Sequence, residues 1–180
     1  MTYVIETQRL GLRPLTPDDL DFVALMLADA HVMRFYPHRY TREESSEWIE
    51  RQVGRYARDG HGLWLVEERG SGVAIGQVGL CMQMVDGDPI PEVGYLLHHK
   101  WWGKGMATEA ASSVRDWAFD EREYPRVVSL IRRVNSASRR VAMRVGMTWW
   151  RGVTHAGLPH DVYGMERPTP SDATDDFRAR

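Results

Sequence analysis

The segment from Lys100 to Ala110, KWWGKGMATEA, most constrains the fold because it predicts a tight turn that leads into a helix. Gly103 and Gly105 flank a lysine, and an apolar helical pattern follows at once. Glycines allow several backbone N–H groups to turn toward one point, and the start of a helix adds further unpaired N–H groups. A short apolar strand, Val93 to Leu97, precedes the turn. The segment therefore predicts a strand–turn–helix unit that binds an anion such as phosphate.

Other phosphate-binding motifs fit this segment poorly. A Walker loop has four residues between its first glycine and a Gly-Lys-Ser/Thr sequence. Here Gly103 and Gly105 are separated by a single residue. A dinucleotide fingerprint needs a third glycine where this chain has Thr108. The ordinary alternative is a tight turn that caps a helix and binds nothing.

The length and composition predict one domain with a hydrophobic core. The chain has 180 residues, of which 43% are hydrophobic. We expect a single domain over residues 1–167 and a disordered C-terminal tail over 168–180, because that tail is polar and contains prolines. Seven tryptophans are many for this length, and some could line a pocket or a subunit contact, so a homodimer is an open alternative.

Charge and cysteine content exclude several classes of function. The net charge of −2 argues against a nucleic-acid partner. Cys81 is the only cysteine, so an internal disulfide and a cysteine-type metal cluster are both excluded. No apolar run approaches the length of a membrane span, and the N-terminus lacks a basic-then-apolar signal. We therefore expect a cytoplasmic protein that has no membrane partner.

The predicted element order is β-α-α-β-β-β-α-β-α-β-β, which indicates a mixed α+β fold. The first strand is predicted over Thr7 to Leu15. Thr41 is predicted to cap the second helix, with Glu44 completing a capping box. The fourth and fifth strands are predicted over Glu92 to Leu97 and Arg126 to Val134.

This element order and several of its segments resemble the GNAT superfamily of N-acetyltransferases. TQRLGLRPLTPDDL, from Thr7, is similar to the opening of the ribosomal-protein (Rim-type) branch. EVGYLLHHKWWGKGMATEA, from Glu92, resembles the family's fourth strand and its acetyl-CoA pyrophosphate loop. NSASRRVAMRVGM and THAGLPHDVYGM resemble the following helix and the terminal hairpin. One departure is Lys100, where the family usually has Gln or Arg; lysine can still donate to a phosphate as a point charge.

The resemblance implies a GNAT-type acyl-CoA N-acyltransferase fold. This is a central, mostly antiparallel, twisted sheet with splayed fourth and fifth strands and helices on both faces. It also implies a transferase that moves an acetyl group from acetyl-CoA, as co-substrate and without a metal, to a primary amine by direct attack. The acceptor would be a protein N-terminus or another peptide amine, or a small-molecule amine. A non-catalytic acyl-CoA-binding or sensing module is the alternative.

The resemblance also assigns residues to the co-substrate. Backbone groups of the fourth strand would bind the acetyl carbonyl and the pantetheine amides, and the loop would bind the pyrophosphate through its N–H groups. The residues implied are Tyr95, Leu96, Leu97, Lys100, Trp102, Gly103, Lys104, Gly105, Met106, Ala107, Asn135 and Ser138. Glycine at 103 and 105 would allow close approach of the phosphate. Glu109 is expected to brace the loop by hydrogen bonding.

Two residues are candidates for the chemistry. Glu92 is placed where amine acetyltransferases often have a general base, and a carboxylate can deprotonate the amine directly or through one water. Ser138 would protonate or hydrogen-bond the leaving thiolate, because the tyrosine that many relatives have five residues later is Met143 here. The ordinary alternatives are a solvated strand-edge charge for Glu92 and a helix cap for Ser138.

Overall fold

The computed structural model describes residues 2–169, which form a mixed α/β structure with an eight-stranded sheet. The strands are β1 (Ile5–Glu6), β2 (Leu10–Arg13), β3 (Leu63–Glu68), β4 (Val73–Val85), β5 (Asp88–Leu97), β6 (Arg126–Arg132), β7 (Thr148–His155) and β8 (Leu158–Glu166). The helices are α1 (Leu20–Ala28), α2 (Arg42–Asp59), α3 (Met106–Asp120) and α4 (Ser136–Arg144). The predicted tail, 168–180, lies outside the described residues from position 170 onward. No helix in the described part of the chain is long and apolar enough to cross a membrane.

The sheet is mostly antiparallel, and its two halves separate between β5 and β6. The strand order is β1-β2-β3-β4-β5-β6-β8-β7, and β5–β6 is the parallel neighbour pair. The ladder between these two strands contains a single residue pair, Glu92 with Val128. The strands therefore splay apart beyond Glu92, which confirms the prediction made for the fourth and fifth predicted strands.

Helices cover both faces of the sheet, as predicted. Side chains of consecutive strand residues point to opposite faces. In β3, Trp64 and Val66 are buried in one cluster with residues of α3 and α4, such as Val114 and Ala142. Leu65 lies between them in sequence but is buried in a second cluster with residues of α1 and α2. Helices α3 and α4 thus pack on one face, and α1 and α2 pack on the other.

The first predicted strand, Thr7 to Leu15, is wrong in its extent. The structure shortens this strand to β2, Leu10–Arg13, and adds β1, Ile5–Glu6, which precedes Thr7 and pairs with β2. The Thr7 backbone N–H donates to the Leu10 carbonyl at 2.8 Å, and the Leu10 N–H donates to the Thr7 hydroxyl at 2.9 Å. A threonine side chain that bonds its own nearby backbone closes a turn, which the polar–apolar alternation does not reveal.

The second helix begins where its capping box predicts. The Thr41 hydroxyl accepts from the Glu44 N–H at 3.2 Å, and the Glu44 carboxylate accepts from the Thr41 N–H at 2.7 Å. These bonds satisfy two N–H groups that the first turn of a helix otherwise leaves unpaired. The cap fixes the end of the connection over residues 29–41, which we call the α1–α2 loop.

A matched pair of glycine substitutions tests the packing of the sheet. A Cβ atom at Gly79 would overlap the carbonyl oxygen of Gly62 and the Cα of Leu63, whereas a Cβ at Gly54, inside α2, would meet nothing within 4 Å. We expect Gly79→Ala to lower the free energy of unfolding by about 1–3 kcal/mol. Gly54→Ala should raise it by about 0.5–1 kcal/mol, because alanine favours a helix. Urea unfolding measures both, and equal stabilities would contradict the close approach of β4 to β3.

Candidate functional site

A cavity of ≈ 570 Å³ opens where β5 and β6 separate. The α1–α2 loop, the end of β5, the turn before α3, the start of α3 and the length of α4 form its walls. Its lining residues are His31, Val32, Arg34, Phe35, Tyr36, Tyr95, Leu96, Leu97, Trp101, Trp102, Gly103, Gly105, Met106, Ala107, Thr108, Asn135, Ala137, Ser138, Arg140, Val141 and Arg144. We call this space the splay cavity. All predicted co-substrate residues line it except Lys100 and Lys104.

The backbone of β5 exposes hydrogen-bonding groups to this cavity. The His98 N–H donates to the Ile75 carbonyl at 2.9 Å, so His98 points toward β4. Because directions alternate along a strand, Leu96 also points its backbone groups toward β4, and Tyr95 and Leu97 point theirs into the gap. The Leu97 carbonyl accepts from the Trp102 indole N–H at 2.8 Å. The backbone contribution predicted for Leu96 is therefore corrected to Tyr95 and Leu97, although Leu96 still lines the cavity.

The turn before α3 depends on two glycines with left-handed backbone angles. Gly103 and Gly105 have φ values of +76° and +78°. A Cβ at Gly103 would meet nothing within 4 Å, and one at Gly105 would approach Arg9 at 3.5 Å. The left-handed backbone conformation is by itself a reason for glycine at both positions. The turn brings the first residues of α3, Met106 and Ala107, to the cavity, together with their unpaired N–H groups.

Glu109 lies in the first helical turn of α3, and its side chain supports the loop that precedes the helix. Its carboxylate accepts from the Thr7 hydroxyl at 2.6 Å, the Arg9 N–H at 3.1 Å and the Arg9 guanidinium at 2.6 Å. Arg9 also donates to the Lys104 carbonyl at 3.0 Å. Burial acts to raise the pKa of Glu109, but the hydrogen bonds from Thr7 and Arg9 outweigh it and lower that pKa below its ordinary value. Glu109 therefore joins the N-terminal hairpin to the turn, which is the role expected from the sequence.

The charges around the splay cavity differ from those that were predicted. Lys100 and Lys104 are exposed and do not line it; the Lys104 ammonium lies 4.5 Å from the Trp101 ring centroid. Arg34, Arg140 and Arg144 line it instead. Sequence reasoning missed them, although Arg140 and Arg144 are four residues apart and so share one face of α4.

Asn135 and Ser138 lie together at the start of α4. The Asn135 side-chain oxygen accepts from the Ser138 N–H at 3.1 Å, so Asn135 is the helix cap and Ser138 is not. The Tyr95 hydroxyl donates to the Ser138 carbonyl at 2.8 Å. The Ser138 hydroxyl has no hydrogen-bond partner among residues 2–169 and faces the cavity lining. It is therefore available to a ligand.

Glu92 lies at the point where β5 and β6 separate. Its carboxylate accepts from the Leu130 N–H of β6 at 3.2 Å and from the Gln83 amide at 2.8 Å. Burial raises the pKa of Glu92 above its ordinary value, and these two hydrogen bonds offset part of that shift. Glu92 does not line the splay cavity. Its side chain lies on the same sheet face as Leu96 and opposite to that of Tyr95, because consecutive strand residues point to opposite faces. A raised pKa suits a carboxylate that removes protons near neutral pH.

Two further groups could take part in chemistry: the thiol of Cys81, and a cluster formed by Asp29, His98 and His99. Cys81 is 3% exposed, and burial raises the pKa of its thiol to about 12. Asp29, His98 and His99 have ligand atoms within 4.8 Å of one another, so this group could hold a metal ion, although no metal is expected from the sequence. His99 and Asp29 already form an ion pair at 3.0 Å, which ties the start of the α1–α2 loop to the end of β5.

The opposite pKa shifts of Glu92 and Glu109 predict opposite effects of pH on stability. A raised pKa means that Glu92 contributes stability at low pH and that this contribution is lost as Glu92 ionises. We expect Glu92→Gln to gain stability relative to the unmodified protein from about pH 4 to pH 7. Glu109→Gln should lose stability relative to it as the pH rises to about 5, because the fold favours the ionised form of Glu109 and its lowered pKa lies below that of the unfolded chain. Urea unfolding from about pH 3 to pH 7 measures both, and parallel curves for Glu92→Gln and the unmodified protein would contradict the burial of Glu92.

The same architecture occurs in known proteins. A family model described as Acetyltransferase (GNAT) domain matches residues 9–148. The uncharacterized protein YkkB of Bacillus subtilis (strain 168) is 30% identical over 158 residues, which cover 87% of this chain and 92% of that protein.

Solved structures show the same fold. An acetyltransferase from Agrobacterium tumefaciens str. C58 superposes with a TM-score of 0.76 at 27% identity and covers 90% of this chain and 93% of its own. RimL, a ribosomal L7/L12 alpha-N-protein acetyltransferase in complex with coenzyme A, has a TM-score of 0.73 at 16% identity, over 92% of this chain and 98% of its own. The family match spans most of the chain, and the splayed strands, the turn and α3 lie within it; this chain belongs to the GNAT acetyltransferase family.

Proposed function

We propose that this protein transfers the acetyl group of acetyl-CoA to a primary amine by direct attack. The observation that carries the proposal is the splay cavity, in which the backbone of β5 and the N-terminus of α3 face one space. An acyl-CoA presents amides along its pantetheine arm and anions at its pyrophosphate. In the cavity, the backbone groups of β5 would face the pantetheine amides, and the N-terminus of α3 would face the pyrophosphate. The structure of RimL in complex with coenzyme A gives further support.

The pyrophosphate would bind at the turn before α3. The N–H groups of residues 103–107 would bind it there, and the positive end of the helix dipole favours an anion. The Trp102 N–H, also expected from the sequence to contribute, instead donates to the His99 carbonyl at 3.1 Å. Arg140 and Arg144 line the same cavity and would attract the remaining phosphate charge. Lys100 and Lys104 would contribute only a long-range field, since neither lines the cavity.

The pantetheine arm and the acetyl group would follow β5. Tyr95 and Leu97 direct backbone groups into the gap, and a fixed N–H there can polarise the acetyl carbonyl. Asn135 uses its side-chain oxygen as a helix cap, which leaves its amide N–H₂ for the co-substrate. These contacts would place the thioester between Tyr95 and Ser138.

Direct attack requires a base but no protein nucleophile. Cys81 is buried, and its raised pKa keeps it as a neutral thiol, so an acetylated cysteine intermediate is disfavoured. Glu92 would accept the proton of the acceptor amine through a water, because it does not itself line the cavity in which the thioester would lie. Ser138 would donate a hydrogen bond to the leaving thiolate, since Met143 cannot.

The domain bounds and the class of acceptor are also proposals. A single domain over residues 1–167 agrees with the family match over 9–148. A Rim-type acceptor, namely a protein N-terminus, is one candidate, and a small-molecule amine is the other. A non-catalytic acyl-CoA-binding module would share the splay cavity but would not need Glu92. Release of free thiol from acetyl-CoA in the presence of amines separates the enzyme from the binding module.

Substitutions in the turn test where the co-substrate binds. Valine at Gly103 or Gly105 cannot adopt the left-handed backbone without strain, so the converging N–H groups should be lost. We expect coenzyme A affinity to fall at least about tenfold in each variant by calorimetry, with the circular dichroism of the fold retained. Gly87→Val is the matched control, because Gly87 has φ of +93° in the remote β4–β5 turn. Unchanged affinity in the two loop variants would sink the assignment.

Substitution of Glu92 tests the base. Positioned proton transfer is typically worth about 10²–10⁴ in rate, so Glu92→Gln should lower kcat/KM by that factor at neutral pH. Activity should recover partly at high pH, where more of the amine is already deprotonated. Ser138→Ala should cost less, because water can protonate the thiolate. Full activity of Glu92→Gln with an unchanged pH profile would show that the base lies elsewhere.

A further inference from the structure

A second cavity lies on the α1–α2 loop. It has a volume of ≈ 680 Å³ and is formed by the end of α1, the α1–α2 loop and the N-cap residue of α2. We call it the loop cavity. Arg34 and Tyr36 line both the loop cavity and the splay cavity, so the two spaces adjoin. An acceptor could therefore pass from the loop cavity into the splay cavity.

The charges of the loop cavity are one-sided. Arg34, His38 and Arg39 line it, and no Asp or Glu is among the described residues that line either cavity. His38 is paired with Glu44 at 3.1 Å. Arg34 stacks on Phe35, with its guanidinium carbon 4.6 Å from the ring centroid, and has no carboxylate partner among residues 2–169. Arg39 likewise has no carboxylate partner among residues 2–169.

A third arginine adds to this positive field. Arg132, at the end of β6, donates to the Phe35 carbonyl at 3.1 Å and thereby holds the loop from behind. Its Nε is buried and has no hydrogen-bond partner in the described structure. Arg42 differs from these residues, because Asp21 neutralises it at 2.6 Å on the outer side of the loop. Arg34 and Arg39 thus line the loop cavity without a carboxylate partner among residues 2–169, and Arg132 lies behind the loop.

We propose that the acceptor is a primary amine that also carries a carboxylate, as in an amino acid or a peptide with an acidic N-terminal residue. This inference rests on the proposed function. A planar guanidinium binds a carboxylate with strong, charge-assisted hydrogen bonds, and Arg34 and Arg39 are the groups that would do so. A polycationic acceptor would meet repulsion from the same arginines, which excludes that class by charge.

The transfer leaves the carboxylate unchanged. The amine nitrogen forms a bond to the acetyl carbon, and the carbon–sulfur bond of acetyl-CoA breaks. One proton leaves the amine for the base, and the thiolate takes up one proton to give coenzyme A. The products are an N-acetylated amine that retains its carboxylate and free coenzyme A.

A panel of matched acceptors tests the proposal with the full-length protein. C-terminally amidated tripeptides that differ only in an N-terminal Glu, Gln or Lys are compared, together with free glutamate and its diamide. Free-thiol release gives kcat/KM for each. We expect the carboxylate-bearing acceptor of each set to exceed its neutral partner by about tenfold at low ionic strength. The preference should shrink as salt is added, because both arginines are exposed.

Arg39 offers the sharpest variant, because it lines the loop cavity and not the splay cavity. Arg39→Gln should reduce the preference for the carboxylate about fivefold and leave the KM for acetyl-CoA unchanged. Arg39→Glu should reverse the preference toward the lysine peptide. Arg42→Gln, the matched control, should keep the preference. Circular dichroism checks that each variant folds, and calorimetric acceptor binding to the CoA-bound protein gives a readout besides turnover.

The outcomes separate this inference from the proposed function. Equal rates for the acidic, neutral and basic acceptors, or a lysine peptide as the best substrate, would overturn the inference while the acetyltransferase proposal stands. Loss of the preference in Arg42→Gln but not in Arg39→Gln would also overturn it. No thiol release with any amine, while coenzyme A still binds, would overturn the proposed function and the inference with it.

Discussion

The separation of β5 and β6 is the constraint on which the rest of the site depends. A parallel ladder reduced to one residue pair, Glu92 with Val128, leaves the backbone beyond it without a neighbouring strand. Backbone hydrogen-bonding groups must be satisfied, so this gap either binds a ligand or water or destabilises the sheet. Side chains hold it open: the Ser129 hydroxyl donates to the Val93 carbonyl at 2.7 Å, and the Tyr95 hydroxyl donates to α4. The same separation places Glu92 at its vertex, where burial raises its pKa.

A second set of contacts fixes the distance between the gap and the turn before α3. The Arg9–Glu109 ion pair, at 2.6 Å, joins β2 to α3, and Arg9 also donates to the Lys104 carbonyl. The Trp102 indole joins the turn to Leu97. The anion-binding end of α3 and the exposed edge of β5 are thus held as one unit. A long co-substrate that must contact both at once requires such a fixed separation.

Local signals made much of this predictable from the sequence. The glycine pair, the Thr41–Glu44 capping box and the strand before the turn are each encoded within a few residues, and the structure contains all three. The features that were missed depend on contacts between distant segments. Three features depend on pairing or packing between segments that are distant in sequence. They are the short extent of the first strand, the backbone direction of Leu96, and the position of Arg34 at the splay cavity with residues of α4.

In the proposed reaction, the arginines of the α1–α2 loop would connect acceptor recognition with proton transfer. An acceptor amine arrives as an ammonium ion, which must lose a proton before it can attack. Neighbouring positive charge disfavours the ammonium form and lowers its pKa. Arg34 and Arg132 supply such charge, while burial raises the pKa of Glu92. The two pKa values therefore move toward each other, which reduces the free-energy difference for the transfer. A carboxylate on the acceptor would bind the arginines and offset part of this effect, so its distance from the amine would govern the balance between binding and deprotonation.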